Sequence, residues 1–215
     1  MKEQYPQCQN LTNSIVFVMA DMVESRDKGM GCHIERVTTL IKILIHSMIE
    51  RGVYSAELNR SDVEMLSYAA CLHDVGKISV PDTILSKPDR LTDKEYEIMK
   101  THVIEGERII DKIVSRAGVN EEFLQHAKLF AGYHHERWDG KGYPRGLDRL
   151  NIPLQGRIMA IIDVYDALVS ERPYKKPFTS EEAVKIIMDS TGEMFDPIIA
   201  DVFFEIRNLL EMVEK

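Results

Sequence analysis

The chain has 215 residues, a formal net charge of -8 and 44% hydrophobic residues, which suits a folded globular protein and argues against disorder. The acidic balance argues against binding to nucleic-acid polymers or anionic membranes, which needs a broad basic surface. No apolar run is long enough for membrane insertion, and residues 1–10 lack the apolar core expected of a signal peptide. Because the three cysteines also have no paired spacing, we expect a cytoplasmic protein with reduced thiols.

Helical periodicity dominates the first part of the chain. Residues 11–24 and about 32–51 are predicted helices, and Gly52 ends the second one. One face of the first helix carries an apolar stripe. Core packing and a seam between two copies of the chain explain this stripe equally well. The stripe consists of Leu11, Ile15, Val18 and Met22.

Local start signals predict several later helices. Ser61, Thr92 and Thr179 each stand three residues before a glutamate, which is the spacing of a capping box. Asp196 is followed by a proline, a combination typical of an N-cap with proline at the first helical position. The helix that starts there is expected to run to Glu211.

The remaining segments complete an all-α prediction. Residues 121–133 and 154–169 are predicted helices, and 138–153 is a predicted loop because it is rich in glycine and proline. No segment shows the alternation of a half-buried strand. We therefore expect one all-α domain over residues 11–215, preceded at residues 1–10 by a linker or N-terminal extension.

Histidines and carboxylates gather at loops and helix ends. The adjacent His73 and Asp74 can hold one metal together, and the second carboxylate oxygen is left for another metal. A histidine pair at 134–135 precedes the glycine-rich loop. Asp163 lies in an apolar helix, where a carboxylate is costly unless it caps a helix, binds a metal or pairs with an arginine such as Arg157. Taken singly, a helical histidine is more often a core residue than a ligand.

Taken together, these motifs resemble the HD-GYP family of metal phosphodiesterases, a branch of the HD superfamily. Segment 73–77, His-Asp-Val-Gly-Lys, is similar to the HD-x-G-K core, and segment 134–144 carries His-His-Glu, Trp-Asp-Gly and Gly-Tyr-Pro in the order of the family signature. Segments 163–175 and 195–197 are similar to the Asp-x-Tyr-Asp-Ala-Leu…Arg-Pro-Tyr-Lys and Phe-Asp-Pro motifs. The resemblance covers about residues 11–210. It implies an HD-domain helical bundle with extra C-terminal helices and a Gly-Tyr-Pro loop.

The resemblance also implies two divalent transition metals, with iron or manganese expected and zinc, nickel or cobalt as the other candidates. Some members of the family bind a third metal through a glutamate one helical turn before the first ligand histidine. Gly29 stands at that position here and Glu24 is out of register, so we expect two metals. The ligands of the first metal would be His33, His73, Asp74 and Asp163. The ligands of the second would be His102, His134 and His135, with Asp74 bridging.

The implied reaction is hydrolysis of cyclic di-GMP to pGpG, GMP or both. Two metals that share a carboxylate lower the pKa of a bound water toward neutrality. Asp74 would be that carboxylate, and Lys77 would add positive charge beside it. Asp74 and Lys77 are therefore the predicted catalytic residues. Arginine recognises phosphate and guanine edges, and tyrosine offers a stacking face. The predicted substrate contacts are Asp27, Tyr143, Asp166, Arg172 and Lys175.

Two alternative functions follow from the same motifs. One is an HD phosphohydrolase that acts on another cyclic dinucleotide or a nucleotide, and the other is a catalytically weak cyclic-di-GMP sensor or protein-docking module. Because all the expected metal ligands are present, the sequence favours an active enzyme. The partners considered are a cyclic dinucleotide substrate, a second copy in a homodimer, and GGDEF-type, receiver or sensor proteins.

Overall fold

The computed structural model describes residues 4–26, 33–58, 63–118, 121–171 and 176–213. These residues form α-helices, 3-10 turns and isolated bridges without a β-strand, which confirms the all-α prediction. None of the described helices combines the length and apolar character needed to cross a membrane. The α-helices are α1 (Gln4–Glu24), α2 (His33–Glu50), α3 (Ser55–Leu58), α4 (Val63–Ala70), α5 (Asp82–Leu85), α6 (Asp93–Ala117), α7 (Glu122–Tyr133), α8 (Leu154–Val169), α9 (Ser180–Asp189), α10 (Pro197–Glu205) and α11 (Arg207–Glu211). The 3-10 turns are Val75–Ser79 and Arg149–Asn151.

The core is built around α2 and α8, which pack against each other, with α4 and α7 beside them. The buried face of α2 repeats every three or four residues, as its sequence predicts, and includes Val37, Ile41, Leu44 and Met48. The helices α9, α10 and α11 extend this core at its C-terminal side. This arrangement matters for function because residues of α2, α6 and α8 and the residues that follow α4 and α7 meet at one site.

The local start signals are confirmed where the structure describes them. Thr92 accepts a hydrogen bond from the Glu95 amide, and the Glu95 side chain accepts one from the Thr92 amide. Thr179 begins α9 with the same reciprocal pair. Asp196 accepts a hydrogen bond from the Ile198 amide and caps α10. The predicted cap at Ser61 lies outside the described residues.

The predicted boundaries differ from the structure at both ends of the chain. The helix α1 begins at Gln4, so residues 4–10 are helical within the stretch proposed as a linker or extension. The predicted helix from Asp196 to Glu211 is wrong in its length, because it breaks at Ile206 into α10 and α11. No glycine or proline marks this break. The Arg207 guanidinium donates to the Phe204 carbonyl and so satisfies a polar group near the helix end.

The apolar stripe predicted on α1 faces away from the core. Ile15, Val18 and Met22 are 50%, 55% and 66% exposed, whereas Val23 on another face of the helix is buried. The side chain of Leu11 lies outside the described part of the chain. Of the two explanations for the stripe, core packing is therefore wrong for the three described residues, because α1 contacts the domain through a different face.

Candidate metal centre

Asp74 lies between two groups of histidines. It follows α4 and precedes the 3-10 turn, and it is buried. Its Oδ1 atom is 3.2 Å from His102 Nε2 and 3.6 Å from His134 Nε2. Its Oδ2 atom is 3.3 Å from His73 Nε2. One carboxylate thus presents a separate oxygen to each group, which is the geometry required of a ligand shared by two cations.

The first group brings together His33, His73 and Asp163, whose ligand atoms lie within 4.8 Å of one another. They come from three separate places: the first residue of α2, the segment after α4 and the interior of α8. Arg157, considered above as a partner for Asp163, donates instead to the carboxylate that caps α10, at 2.7 Å. The metal explanation for the carboxylate in α8 is therefore favoured over that ion pair.

The second group consists of His102, His134 and His135, whose ligand atoms also lie within 4.8 Å of one another. His102 comes from α6, and the other two follow the end of α7. The Nε2 atoms of His102 and His134 are 3.3 Å apart. Each of these two atoms also approaches Asp74 Oδ1, so the two nitrogens and the oxygen converge on one small space.

Gly76 allows the turn that carries Asp74 to approach α6. A Cβ atom at this position would lie 1.9 Å from the carbonyl oxygen of His102 and 2.5 Å from the amide nitrogen of Gly106. Backbone atoms cannot move aside as a flexible side chain can. The glycine of the HD-x-G-K motif is therefore needed for the close packing that brings Asp74 to the second group.

Backbone carbonyls orient the histidine rings. The Nδ1 atoms of His73, His102 and His134 lie 2.9 Å, 2.7 Å and 3.0 Å from the carbonyl oxygens of Ala70, Met99 and Phe130. Because a carbonyl oxygen only accepts, each Nδ1 carries a proton, and in the neutral ring each Nε2 is then left with a lone pair. Such contacts hold the tautomer and the ring direction that metal binding needs.

Several buried polar atoms at the site fit a metal ion. His33 Nε2, His73 Nε2 and Asp74 Oδ1 are buried and have no hydrogen-bond partner in the described structure. Such atoms cost free energy unless they are satisfied. Imidazole nitrogens and carboxylate oxygens that converge in this way are ligands suited to divalent transition metals.

Burial and neighbouring charges shift the pKa values of the ionisable groups at the site in different directions. Burial lowers the pKa of His102 to about 4 and that of His135 well below its usual value. Burial also acts to lower the pKa of His73, but the Asp74 carboxylate outweighs it and raises this pKa to about 9. Although burial acts to raise the pKa of Asp74, Lys77 beside it holds this pKa well below its usual range. The second group thus contains imidazoles in the neutral form that binds metals.

The five predicted substrate contacts have different outcomes. Tyr143 lines a cavity of about 590 Å³, in the size range of small-molecule sites, that opens beside the second group. Its ring stacks on His135, with centroids 4.7 Å apart. Asp166 does not line this cavity. The other predicted contacts lie outside the described residues, namely Asp27, Arg172 and Lys175.

Asp166 supports a histidine, so the prediction that it contacts the substrate needs correction. The side chain is buried, and its Oδ2 atom lies 2.7 Å from His33 Nδ1. The Arg36 guanidinium binds both carboxylate oxygens, and the Ser170 hydroxyl donates to Oδ2. An acid held in this way orients His33 and leaves its Nε2 atom facing the first group.

The glycine-rich loop is fastened to the helices by residues whose role the sequence did not reveal. Glu136 is buried and accepts hydrogen bonds from the amides of Arg145 and Leu147, at 2.8 Å and 3.0 Å. The Arg145 guanidinium reaches the Gly132 carbonyl and the Glu107 carboxylate. The place of Glu136 in the His-His-Glu motif could have suggested a role, whereas Glu107 carries no comparable signal.

Glu24 is a further residue whose position the sequence did not reveal. It is 2% exposed and its Oε1 atom is 3.6 Å from Lys77 Nζ at the edge of the site. Counted along the sequence, Glu24 is only a residue out of helical register with His33. In the structure Glu24 ends α1 and His33 begins α2, so a register counted along one helix does not describe where Glu24 lies.

We expect Gly142→Ala to displace the loop that carries Tyr143. The added Cβ would lie 2.3 Å from the Arg137 amide nitrogen and 2.6 Å from the Glu136 Cα atom, so the loop backbone must move. A shift of about 1 Å at a binding residue lowers turnover by about 10²-fold, and we expect this loss in the predicted phosphodiesterase activity.

A matched control is Gly52→Ala, which lies at a left-handed φ of 68° with no atom within 4 Å of the new Cβ. That variant is expected to lose about 1–2 kcal/mol of stability through backbone strain and to keep its activity. Steady-state kinetics and thermal unfolding of both variants make the comparison. Full activity of Gly142→Ala would contradict the role given to the loop.

Comparisons with known proteins agree on the fold and on a chemical class. Residues 17–199 match the family model described as HD domain. A Vibrio cholerae protein named "Probable cyclic di-GMP phosphodiesterase" is 38% identical over 95% of this chain and 47% of its own length. A Thermotoga maritima "Cyclic di-GMP phosphodiesterase" is 37% identical over 96% of this chain and 52% of its own. The chain thus spans about half the length of these relatives.

Two further matches widen the comparison. The Vibrio cholerae "3'3'-cGAMP-specific phosphodiesterase 2" is 38% identical over 90% of this chain and 34% of its own length. Among solved structures, an HDG"Y"P protein from Bdellovibrio bacteriovorus aligns with a TM-score of 0.60 at 19% identity, covering 97% of this chain and 65% of its own. That structural match supports the same helical fold.

Proposed function

Because the chain belongs to the HD domain family and carries the HD-GYP motifs, we propose that it is a metal-dependent phosphodiesterase that hydrolyses cyclic di-GMP to pGpG, GMP or both. The observation that carries this proposal is Asp74, whose two oxygens face two separate groups of potential metal ligands. Relatives named as cyclic di-GMP phosphodiesterases support the same chemistry.

The proposed centre is binuclear. One metal would be held by His33, His73, Asp74 and Asp163, and the other by His102, His134 and His135 together with Asp74. We propose iron or manganese as the metal, because mixed imidazole and carboxylate ligands suit both, with zinc, nickel and cobalt as the other candidates. Gly29, which replaces the third-metal glutamate of some relatives, lies outside the described residues.

The residues of the chain have distinct parts in the proposed reaction. Bound metals would lower the pKa of a water molecule and neutralise charge on the phosphoryl oxygens. Asp74 would hold the two metals at a set separation, and the Lys77 ammonium, 2.7 Å from Asp74 Oδ2, would add positive charge where the phosphate enters. Tyr143 would offer a ring to the substrate in the cavity, as the sequence predicts. Asp27, Arg172 and Lys175 stay predicted substrate contacts.

A second substrate has specific support. Relatives of this chain include proteins named as 3'3'-cGAMP-specific phosphodiesterases, at 31% to 38% identity. A cyclic dinucleotide with one guanine and one adenine carries the same phosphodiesters, so the metal centre does not discriminate between the two. Discrimination would come from the walls of the cavity, where the bases would bind.

The deciding experiment is incubation of the protein with each cyclic dinucleotide under Mn²⁺ or anaerobic Fe²⁺, with chromatographic separation of products. Formation of pGpG or GMP from cyclic di-GMP supports the proposal. Preferential cleavage of 3'3'-cGAMP would move the assignment to that substrate. Binding of cyclic di-GMP without cleavage by metal-loaded protein would leave the sensor alternative, and the activity proposal would fail.

Metal loading gives a prediction that does not depend on substrate. We expect purified protein reconstituted with Mn²⁺ or Fe²⁺ to hold about two metal ions per chain, since the site offers two groups of ligands joined by one carboxylate. Chelation is expected to remove the activity and to leave the far-ultraviolet circular dichroism unchanged, because a large cluster of buried apolar side chains also holds the helices together. Elemental analysis measures the metal, and folded protein that binds none would contradict the binuclear centre.

Other expectations from the sequence stay predictions. These are a single HD-GYP domain over residues 11–215, a cytoplasmic location, and contacts with GGDEF-type, receiver or sensor proteins. A homodimer is also predicted, and the exposed stripe of Ile15, Val18 and Met22 on α1 supports a contact made through that helix.

A further inference from the structure

Glu24 is placed where a carboxylate is unfavourable. It is the last residue of α1, where the helix dipole presents partial negative charge. It is 2% exposed, and neither of its carboxylate oxygens has a hydrogen-bond partner in the described structure. A buried acid without hydrogen bonds at this end of a helix costs stability, so a compensating interaction is required.

Lys77 supplies that interaction from the edge of the metal centre. Its Nζ atom is 3.6 Å from Glu24 Oε1 and 2.7 Å from Asp74 Oδ2, and the lysine is itself buried. The ammonium therefore lies between two carboxylates. The nearer one, Asp74, belongs to the proposed bridge between the metals, whereas Glu24 belongs to neither group of ligand atoms.

The oxygen that Lys77 contacts is the one that faces the first metal group. Asp74 Oδ2 is also 3.3 Å from His73 Nε2. A cation bound between that oxygen and the imidazole would repel the ammonium at short range. Lys77 would then need another anionic partner within reach to remain in the site, and Glu24 is such a partner.

We propose that Glu24 is a positioning residue that holds Lys77 beside the centre and becomes its main carboxylate partner when Asp74 Oδ2 binds a metal. This inference rests on the proposed function for its catalytic part, because the ammonium so held would face the substrate phosphate. It also makes a statement about metal binding alone. Without Glu24, Lys77 would pair more strongly with Asp74 and compete with the metal for Oδ2.

The test compares Glu24→Gln, which keeps the shape and removes the charge, with Lys77→Met and the double variant. We expect Glu24→Gln to weaken Mn²⁺ binding by about 10-fold while the saturated protein still holds the wild-type number of ions, as when a residue supporting a ligand is lost. Where Lys77 is already replaced, the same change is expected to have a much smaller effect. This difference defines the coupling between the two residues.

Kinetics supply the second measurement. For metal-saturated Glu24→Gln we expect kcat to fall by about 10-fold or more, again with little further loss in the Lys77→Met background. The variant Glu24→Asp, which restores the charge on a shorter side chain, is expected to recover part of both effects. It also provides the comparison if Glu24→Gln does not fold.

Three outcomes would overturn the inference. Loss of a metal ion from saturated Glu24→Gln would make Glu24 a ligand. Equal effects in the wild-type and Lys77→Met backgrounds would remove the link to Lys77, and unchanged metal affinity and kcat would leave Glu24 without a positioning role. Failure of the proposed function can be told apart from failure of this inference, because the Mn²⁺ titration measures the effect of Glu24 even if no cyclic dinucleotide is cleaved.

Discussion

Asp74→Ala is expected to lower the hydrolysis of cyclic di-GMP by at least about 10³-fold, which corresponds to a loss of about 4 kcal/mol of transition-state stabilisation. The reason is that this side chain faces both ligand groups, with Oδ1 3.2 Å from His102 Nε2 and Oδ2 3.3 Å from His73 Nε2. Its removal takes a ligand from each proposed metal at once. Elemental analysis of the same preparation is expected to show reduced metal content.

Two companion variants separate loss of the bridge from general damage. Asp74→Asn keeps the volume and one carbonyl oxygen but loses the charge, so we expect it to fold and to be strongly impaired. Asp111→Ala makes the same substitution as the test variant at an exposed acid paired with Lys128, and it is expected to retain full activity. Wild-type turnover by Asp74→Ala would show that the reaction occurs elsewhere.

Asp196→Ala is expected to be the most destabilising of the substitutions considered, costing about 3–5 kcal/mol of the free energy of unfolding. The Asp196 carboxylate is buried and accepts hydrogen bonds from the Tyr54 hydroxyl at 2.6 Å, from Arg157 Nη1 at 2.7 Å and from the Ile198 amide at 2.9 Å. Its loss leaves the buried Arg157 guanidinium without its carboxylate partner and removes the cap of α10.

The measurement is the shift in thermal and denaturant unfolding. For a chain of this length the expected loss corresponds to a fall of about 6–20 °C in Tm. Asp201→Ala changes an exposed acid in the same helix and is expected to alter stability by no more than about 0.5 kcal/mol. If Asp196→Ala unfolded with the wild-type midpoint, the ion pair with Arg157 would make no net contribution to the free energy of unfolding.

The sequence predicted helix starts well because they depend on short-range interactions. At Thr92 and Thr179 the capping groups are three residues apart, so the chain carries the whole interaction locally. The length of a helix depends more on contacts with the rest of the fold, and no glycine or proline in the sequence marks the break at Ile206. The motif set likewise identified the residues that converge at the candidate centre, because their chemistry and order are carried by short segments.

The orientation of side chains was harder to predict, because it depends on contacts between distant segments. Asp166 shares a motif with Asp163, yet it supports His33, which lies 133 positions away in the chain. The sequence places both acids in one helix but does not say which one faces the ligand groups. Similarly, the stripe that contains Val18 is predicted from periodicity, while its exposure depends on which face of α1 meets the domain.

By itself, then, the sequence determined the all-α class, the starts of most helices and the chemical identity of the candidate ligands, since each depends on residue type and local spacing. Only the tertiary structure decided that Asp74 presents a different oxygen to each group, that Asp166 is buried behind His33, and that Glu24 lies beside Lys77. These facts are distances between side-chain atoms, most of which belong to segments far apart in the chain. They follow from packing, which local pattern does not specify.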